Sequence, residues 1–404
     1  MGSRALWATS VCLLLLLAAV FFIAGTLVMT VGMNKMKEEV LKKIWLGVEA
    51  NGSYTQTTLD WIDPKYEMLF KVHVFSVVNA DDFRAKPNST PMLVEKGPYT
   101  FCERQHKEVV GLAADGTRIF YRNFKWYTFD QSRSCADCFL SDVVVEVWQK
   151  VKDNFLFQLG VDAAIQKTNT TAFLKMTVGQ LLFEGQSNPL LVELCKMDPT
   201  TCKDRPTIIS LFRDQNGTDD GVYEVGTGIN GAADISRVYF VERPDGNERV
   251  NFAERTWTSA LRQWPPFLRA GPPVDIFTGR MQRIIRMEEG WPKTIEGITA
   301  LSLHPSPEMN DVGVQMDEGF CNANGTRFFR DPRVQQPGCA PAGLMDISSV
   351  IDAPFLVGRP HFGGSPSAVR TAVGGVREAR KRRTPAFTSR CSAEWSFGRS
   401  KCTN

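Results

Sequence analysis

The reactive groups of this chain are ten cysteines, four histidines and a scatter of acids. Cys135-Ala-Asp-Cys138 has the spacing of a redox pair or of half a zinc site. It also fits a local structural bridge or two unpaired thiols. A zinc site takes four ligands. The chain offers no second C-x-x-C and no H-x₃₋₅-H, and His73, His106, His304 and His361 are dispersed. A local structural or unpaired role is therefore favoured over metal or redox chemistry. Cys195 and Cys202 bracket a turn-like Lys-Met-Asp-Pro-Thr-Thr and could pair. Nucleophile elbows, zinc-protease helices, phosphate-binding loops and dinucleotide fingerprints are absent as motifs. Gly226-Thr-Gly228 lacks a third glycine, and Asp219-Asp220 sits in a turn, where carboxylates cap backbone amides. The expectation is no enzyme, no cofactor and no metal.

These groups must be positioned by a body in a particular compartment. No charge occurs between Arg4 and Lys35, and residues 6–33 read as one apolar run. About 20 apolar residues span a bilayer core, so residues 5–33 are expected to form an uncleaved signal anchor. A cleaved signal peptide has a shorter apolar region and a small-residue cleavage site. Cys12 falls inside this run and is expected to be free. Beyond residue 50 lie five N-x-Ser/Thr sequons, at Asn51, Asn88, Asn169, Asn216 and Asn324. With the clustered cysteines they suit an oxidising, glycosylating lumen. The body is thus expected outside the cytoplasm, with residues 1–4 inside, against a weak opposing count of Lys35, Lys37, Lys42 and Lys43.

The whole chain, 404 residues at net charge +3, is ordinary for a globular body and excludes a disordered or strongly basic protein. The charge is uneven: residues 365–404 carry net +7 and the rest −4. The basic run from Gly374 to Thr384 reads as a solvated tail.

Secondary-structure signals divide the body. Val40, Leu41, Ile44 and Trp45 continue a helix out of the membrane. Phe70, Val72 and Val74 alternate as in a half-buried strand. Phe120, Phe124 and Trp126 share one face of residues 119–129, with Asn123 and Lys125 on the other. Strands at 238–242 and 249–252 flank Arg243-Pro-Asp-Gly-Asn, a turn. Residues 140–196 read as two or three short helices. Val144, Val147, Trp148 and Val151 are spaced i, i+3, i+4, i+7, followed by Phe155, Leu156 and Leu159. Thr177-Val-Gly-Gln180 has the form of a capping box. The fold class is α+β with mostly antiparallel sheet.

Six segments in order carry a family resemblance. They are Trp61–Ala80, Val94-Glu-Lys-Gly-Pro-Tyr-Thr-Phe, Asn216-Gly-Thr-Asp-Asp-Gly-Val-Tyr with Thr227-Gly228, Trp264-Pro-Pro-Phe267, Glu318-Gly-Phe-Cys321, and Ala353-Pro-Phe-Leu with Pro360-His361-Phe362. Together they resemble the class B scavenger receptors and their lysosomal integral membrane relatives over roughly residues 5–375.

The resemblance implies a membrane glycoprotein whose ectodomain, residues 34–375, is an antiparallel β-barrel. A small helical bundle forms its membrane-distal tip, at about 140–196. It implies capture of lipids, fatty acids or lipoprotein particles at the tip and their passage through an apolar tunnel to the membrane. Phe120, Phe124, Trp126 and Val238 are candidate tunnel walls. Alternatives are an endolysosomal receptor for protein cargo and an adhesion or sensory co-receptor. No nucleic acid partner is implied, homo-oligomers are allowed, and the plasma membrane is favoured over the lysosome.

Lys167 falls on a ligand-binding lysine of the family, and Lys150, Lys152 and Lys175 lie in or beside the same segments. Cys321 and Cys339 are expected to pair. Loops of roughly 8 and 19 residues, closed by 195–202 and 321–339, would each contribute ~2–3 kcal/mol. The family's second membrane helix has no counterpart run here, and residues 376–404 read as a divergent, irregular tail, as from truncation or a frameshift.

Overall fold

The computed structural model describes residues 2–65, 67–85, 90–147, 167–168, 173–197, 207–243, 249–251, 258–260, 274–278, 283–290, 293–295, 298–300, 303–306, 329–347, 356–376 and 394–398. Helix α1, Gly2–Lys43, merges the apolar run and the amphipathic stretch into one element. Its part from Leu13 is long and apolar enough to cross a membrane, and none of that window is buried against the body. Phe21 and Phe22 are each 74% exposed, a surface that hydrocarbon rather than water accommodates. The hydroxyls of Thr26 and Thr30 donate to the carbonyls of Ile23 and Thr26, 2.8 Å in each case, so they carry no unmet hydrogen bond into lipid. Lys42 and Lys43 close the last turn, where cations oppose the helix dipole. Leu46, fully buried, then ties the anchor to the body through its amide on the Thr227 carbonyl at 2.8 Å.

The helices that follow are short: α2 Gln56–Ile62, α3 Ala80–Ala85, α4 Pro189–Met197 and α5 Ser367–Arg370. The strands are β1 Glu67–Val77, β2 Leu93–Leu112, β3 Arg118–Phe129, β4 Val143–Val147, β5 Phe173–Thr177, β6 Gln186–Ser187, β7 Ile208–Ile209, β8 Val222–Gly226, β9 Val238–Glu242 and β10 Arg249–Asn251. Beyond these lie β11 Thr258–Ala260, β12 Val274–Thr278, β13 Arg283–Glu289, β14 Lys293–Ile295, β15 Ile298–Ala300, β16 Leu303–Pro305, β17 Leu344–Asp346, β18 Leu356–Gly358 and β19 Glu394–Gly398. The main sheet runs β10-β9-β8-β3-β2-β1-β19, antiparallel throughout. A second sheet, β11-β12-β13-β16, contains one parallel pair, β11 with β12.

Two apolar clusters flank the inward face of the main sheet. One gathers Leu46, Trp61, Tyr121, Tyr223, Val238 and Phe277; the other gathers Phe70, Tyr99, Phe101, Tyr127, Val144 and Leu182. Trp61 meets Tyr121 edge-on at 4.6 Å between centroids, a geometry that adds to area burial.

Three expectations change. No closed barrel forms among the described residues, since the sheet ends at β10 and β19 without pairing them. Val143–Val147 is a strand against β5, not a helix. Its β-branched residues are stiff at χ1 and favour a pleated surface, and Val143, Val145 and Val147 alternate with period two alongside the helical spacing of Val144 and Val147. Trp148, Val151, Phe155, Leu156 and Leu159 lie outside the described residues. Within the tail, β19 at 394–398 adds to the open edge of β1, from Glu67 opposite Gly398 to Lys71 opposite Glu394. Finally, the faces of β3 are inverted. Ile119, Tyr121, Asn123 and Tyr127 are buried, whereas Trp126 is 41% exposed and stacks on Phe124. Of the four candidate tunnel walls, Val238, 1% exposed, lies in the core.

Candidate ligand-binding region

The β4–β5 pair packs Val144 and Met176 into the second apolar cluster. Asp142 lies just before β4. One carboxylate oxygen accepts from the Tyr99 hydroxyl at 2.6 Å, the Lys96 ammonium at 2.9 Å and the Phe139 amide at 2.9 Å. Burial opposes its charge, but these three donors outweigh burial and hold the Asp142 carboxyl below the usual carboxylate range. Burial, and then the Asp142 charge, push the Tyr99 hydroxyl well above its ordinary value. The Asp142 carbonyl also accepts from the Val178 amide at 2.9 Å, so both strands of the hairpin start from this residue. Cys135 and Cys138 form a disulfide beside it, and the Cys135 amide donates to Pro98 at 3.0 Å. Cys135, Asp137 and Cys138 bring ligand atoms within 4.8 Å of one another, but both sulfurs are spent in the bridge. The bond between the two sulfurs removes the unpaired reading of this C-x-x-C.

The hairpin ends in the expected capping box. The Thr177 amide donates to Gln180 Oε1 at 2.9 Å and the Gln180 amide to Thr177 Oγ1 at 3.2 Å. The next turn, Gln180–Glu184, is π-helical and buries Leu181 and Leu182. Asn188 then caps α4, accepting from Leu190 at 2.9 Å. Lys175 is exposed on β5, opposite Val145. Lys167 pairs with Glu193 on α4, which also meets Lys196 at 3.5 Å. The Lys167 hydrogen bond, aided by Lys196, holds the Glu193 carboxyl below its usual range. One buried carboxylate thus organises two exposed ammonium groups, Lys167 and Lys196. Lys150 and Lys152 lie outside the described residues.

The interior of the main sheet holds a second arrangement. On β2, Glu103, Gln105 and Lys107 point inward between Phe101 and Val109, and are only 1%, 6% and 3% exposed. Lys107 Nζ donates to the Trp61 carbonyl at 2.7 Å and lies 5.1 Å over the Trp61 ring. Asn123 Nδ2 donates to Gln105 at 3.4 Å, and Gln105 donates to Glu103. Lys125 pairs with Asp220 at 3.3 Å, which also accepts from Tyr223 at 2.8 Å. This polar band separates the two apolar clusters. Lys125 and Asp220 give the band an ion pair, while Glu103 Oε2, Asn123 Oδ1 and Asp220 Oδ1 are buried without a hydrogen bond, a cost the surrounding network carries.

Of the sequons, Asn51 is exposed and accepts from Ser53 at 2.9 Å. Asn216 is exposed, but its carboxamide bridges the backbone of Tyr127, accepting from the amide at 2.9 Å and donating to the carbonyl at 3.4 Å. It completes the ladder along the stretch of β3 that β8 leaves unpaired. Asn88, Asn169 and Asn324 lie outside the described residues. Cys102, Cys195 and Cys339 are disulfide-bonded; the expected partners Cys202 and Cys321 are outside the described residues.

Sequence reasoning missed Asp142, Glu193 and the polar band. Only the band left a signal, since Glu103, Gln105 and Lys107 alternate in phase with Phe101 and Val109.

Comparison with known proteins follows the same outline. Residues 15–388 match the CD36 family. Scavenger receptor class B member 1 of Sus scrofa is 23% identical over 379 residues, covering 90% of this chain and 67% of that protein. Sensory neuron membrane protein 2 of Aedes aegypti is 22% identical, covering 76% and 70%. Lysosome membrane protein 2 of Rattus norvegicus is 23% identical, covering 78% and 64%. With a membrane-length apolar helix at its start and an antiparallel body behind it, this chain belongs to the CD36 family.

Proposed function

We propose that this protein is a membrane-anchored receptor that captures lipid or lipoprotein-type particles and passes lipid toward the bilayer. The body faces the extracellular or lumenal side and α1 is the anchor. The observation that carries the reading is the family match over residues 15–388, together with an apolar α1 left bare by the body. Capture falls to Lys167 and Lys196 around Glu193, together with Lys175 on β5 and with Lys150 and Lys152 nearby in sequence. Ammonium groups on flexible stems suit carboxylate and phosphate heads. No bond is made or broken; transfer runs down a concentration difference.

A second reading, a docking receptor without lipid flow, is favoured by one observation. The inward face of β2 and β3 is closed by interlocked polar side chains rather than left open. Binding of anionic vesicles by cells displaying the full chain tests capture. Lys167→Ala is expected to weaken it severalfold at low salt, since one exposed pair is worth ~0.2–1 kcal/mol. Lys167→Arg retains most of it. Equal binding by wild type and Lys167→Ala across a salt series, at equal surface expression, refutes the patch.

A further inference from the structure

Glu95 on β2 stands between two histidines from opposite ends of the sequence. His73 Nδ1 on β1 lies 3.1 Å from Glu95 Oε1, and His361 Nε2 lies 3.4 Å from Oε2. All three side chains are mostly buried, at 15%, 18% and 13% exposure for His73, Glu95 and His361. His73 sits where the β1–β2 register shifts, between Val72 and Val74, and Glu95 is opposite Phe75. His361 belongs to the turn Pro360–Phe362 with φ 54 and ψ 29, and Phe362 follows at φ 54. Two successive non-glycine residues in this region persist only where the surroundings hold them. What holds His361 is Glu95 on one side and the edge of Phe75, 5.6 Å between centroids, on the other.

The same segment is fastened further along. Gly374 donates to Pro91 at 2.8 Å and accepts from Leu93 at 3.0 Å. Residues 359–376 therefore form a strap across the start of β2, pinned at Glu95 and at Gly374. Glu95 Oε1 is buried without a hydrogen bond, although His73 lies at ion-pair distance. A proton on His73 places a full charge beside that oxygen. The charged groups adjoining the clamp in β1, β2 and the strap are Lys71, Lys96 and Arg359. Lys96 is committed to Asp142, Arg359 donates to the Pro305 carbonyl at 2.8 Å, and Lys71 on β1 lies opposite Thr100.

We propose that His73, Glu95 and His361 form an acid-tightened clamp that sets how firmly the strap 359–376 is held on the β1–β2 edge. Histidine ordinarily changes charge between about pH 5 and 8, so the clamp responds to the step between a neutral surface and an acidified compartment. An imidazolium draws the carboxylate more strongly than a neutral imidazole does, so the clamp holds harder where its histidines carry a proton. The two nitrogens engage different oxygens of one carboxylate, which is a bridge between imidazoles rather than a convergence of three metal ligands.

The test is hydrogen–deuterium exchange on the full chain in detergent with chelator present, at pH 5.5 and 7.5, corrected for intrinsic exchange. Peptides covering 359–376 are expected to be roughly threefold to tenfold better protected at pH 5.5, with β3 peptides unchanged. Glu95→Gln abolishes the difference. His361→Gln, which lies outside the sheet and leaves β1–β2 pairing intact, reduces it as well, and serves if Glu95→Gln does not fold. An equal pH response in His361→Gln and wild type, or no response in wild type, overturns the clamp. So does a response that appears only when zinc replaces the chelator.

Discussion

Asp142→Ala removes three hydrogen bonds from one carboxylate oxygen, and their sizes follow from exposure. The Tyr99 partner is fully buried, so truncation leaves its hydroxyl unmet, at about 1–3 kcal/mol. The Phe139 amide is exposed and contributes about 0.5 kcal/mol. The Lys96 pair, 37% and 21% exposed, is screened and contributes about 0.5 kcal/mol. The sum is about 2–4 kcal/mol, lost locally at the base of the β4–β5 hairpin. In native-state hydrogen exchange of the full chain, that is roughly a 30- to 900-fold fall in protection across residues 138–147 and 173–178. Tyr99→Phe removes one of the three partners and should cost only about 0.5–1.5 kcal/mol. pH supplies a second handle. The Asp142 carboxyl is held below the usual range, so its stabilisation is present above the ordinary carboxylate pKa of about 4 and is lost as pH falls through the folded value. Asp142→Asn should flatten that acid limb. A fall of less than twofold for Asp142→Ala, with an unchanged acid limb, would refute this reasoning.

Other outcomes follow from single contacts. Glu193→Gln releases Lys167 and Lys196 from their shared partner, so anionic-vesicle capture should rise severalfold at low salt and return to wild type at high salt. Asn216→Ala should lower stability by about 1–2 kcal/mol through its lost bridge to the Tyr127 backbone, whereas Thr218→Ala, which removes the sequon and one exposed hydroxyl bond to the Asp214 carbonyl, should cost less; equal losses would assign the effect to a glycan. Non-reducing peptide mapping should recover Cys135 with Cys138, Cys321 with Cys339 and Cys195 with Cys202; Cys321 as a free thiol would remove the second pair.

Elements with strong local signals were legible in the sequence. The apolar run gave α1, the Thr177/Gln180 pair gave its capping box, and the Pro-Asp-Gly stretch correctly separated β9 from β10. Faces were harder. On β3 both alternating rows contain aromatic residues, so hydrophobicity alone could not say which turned inward; Tyr121 and Tyr127 won because their β2 neighbours lie on the buried side. Val143–Val147 satisfied two periods at once, and only pairing with β5 decided between them. The candidate region was visible as lysines but not as a patch. Glu193, which gathers Lys167 and Lys196, is 26 residues from Lys167 in sequence, and so nothing local announces the pair. Glu95, His73 and His361 are likewise joined only by the fold.

The measurement closest to the central claim is lipid transfer into proteoliposomes holding the full chain. Lipoprotein-like particles carrying a fluorescent apolar lipid would be the donors, with particle binding followed separately. The account predicts label entering these liposomes several times faster than protein-free ones, with Lys167→Ala slowing binding and transfer together. Transfer no faster than into empty liposomes, with particle binding intact, would contradict it and leave a docking receptor in its place.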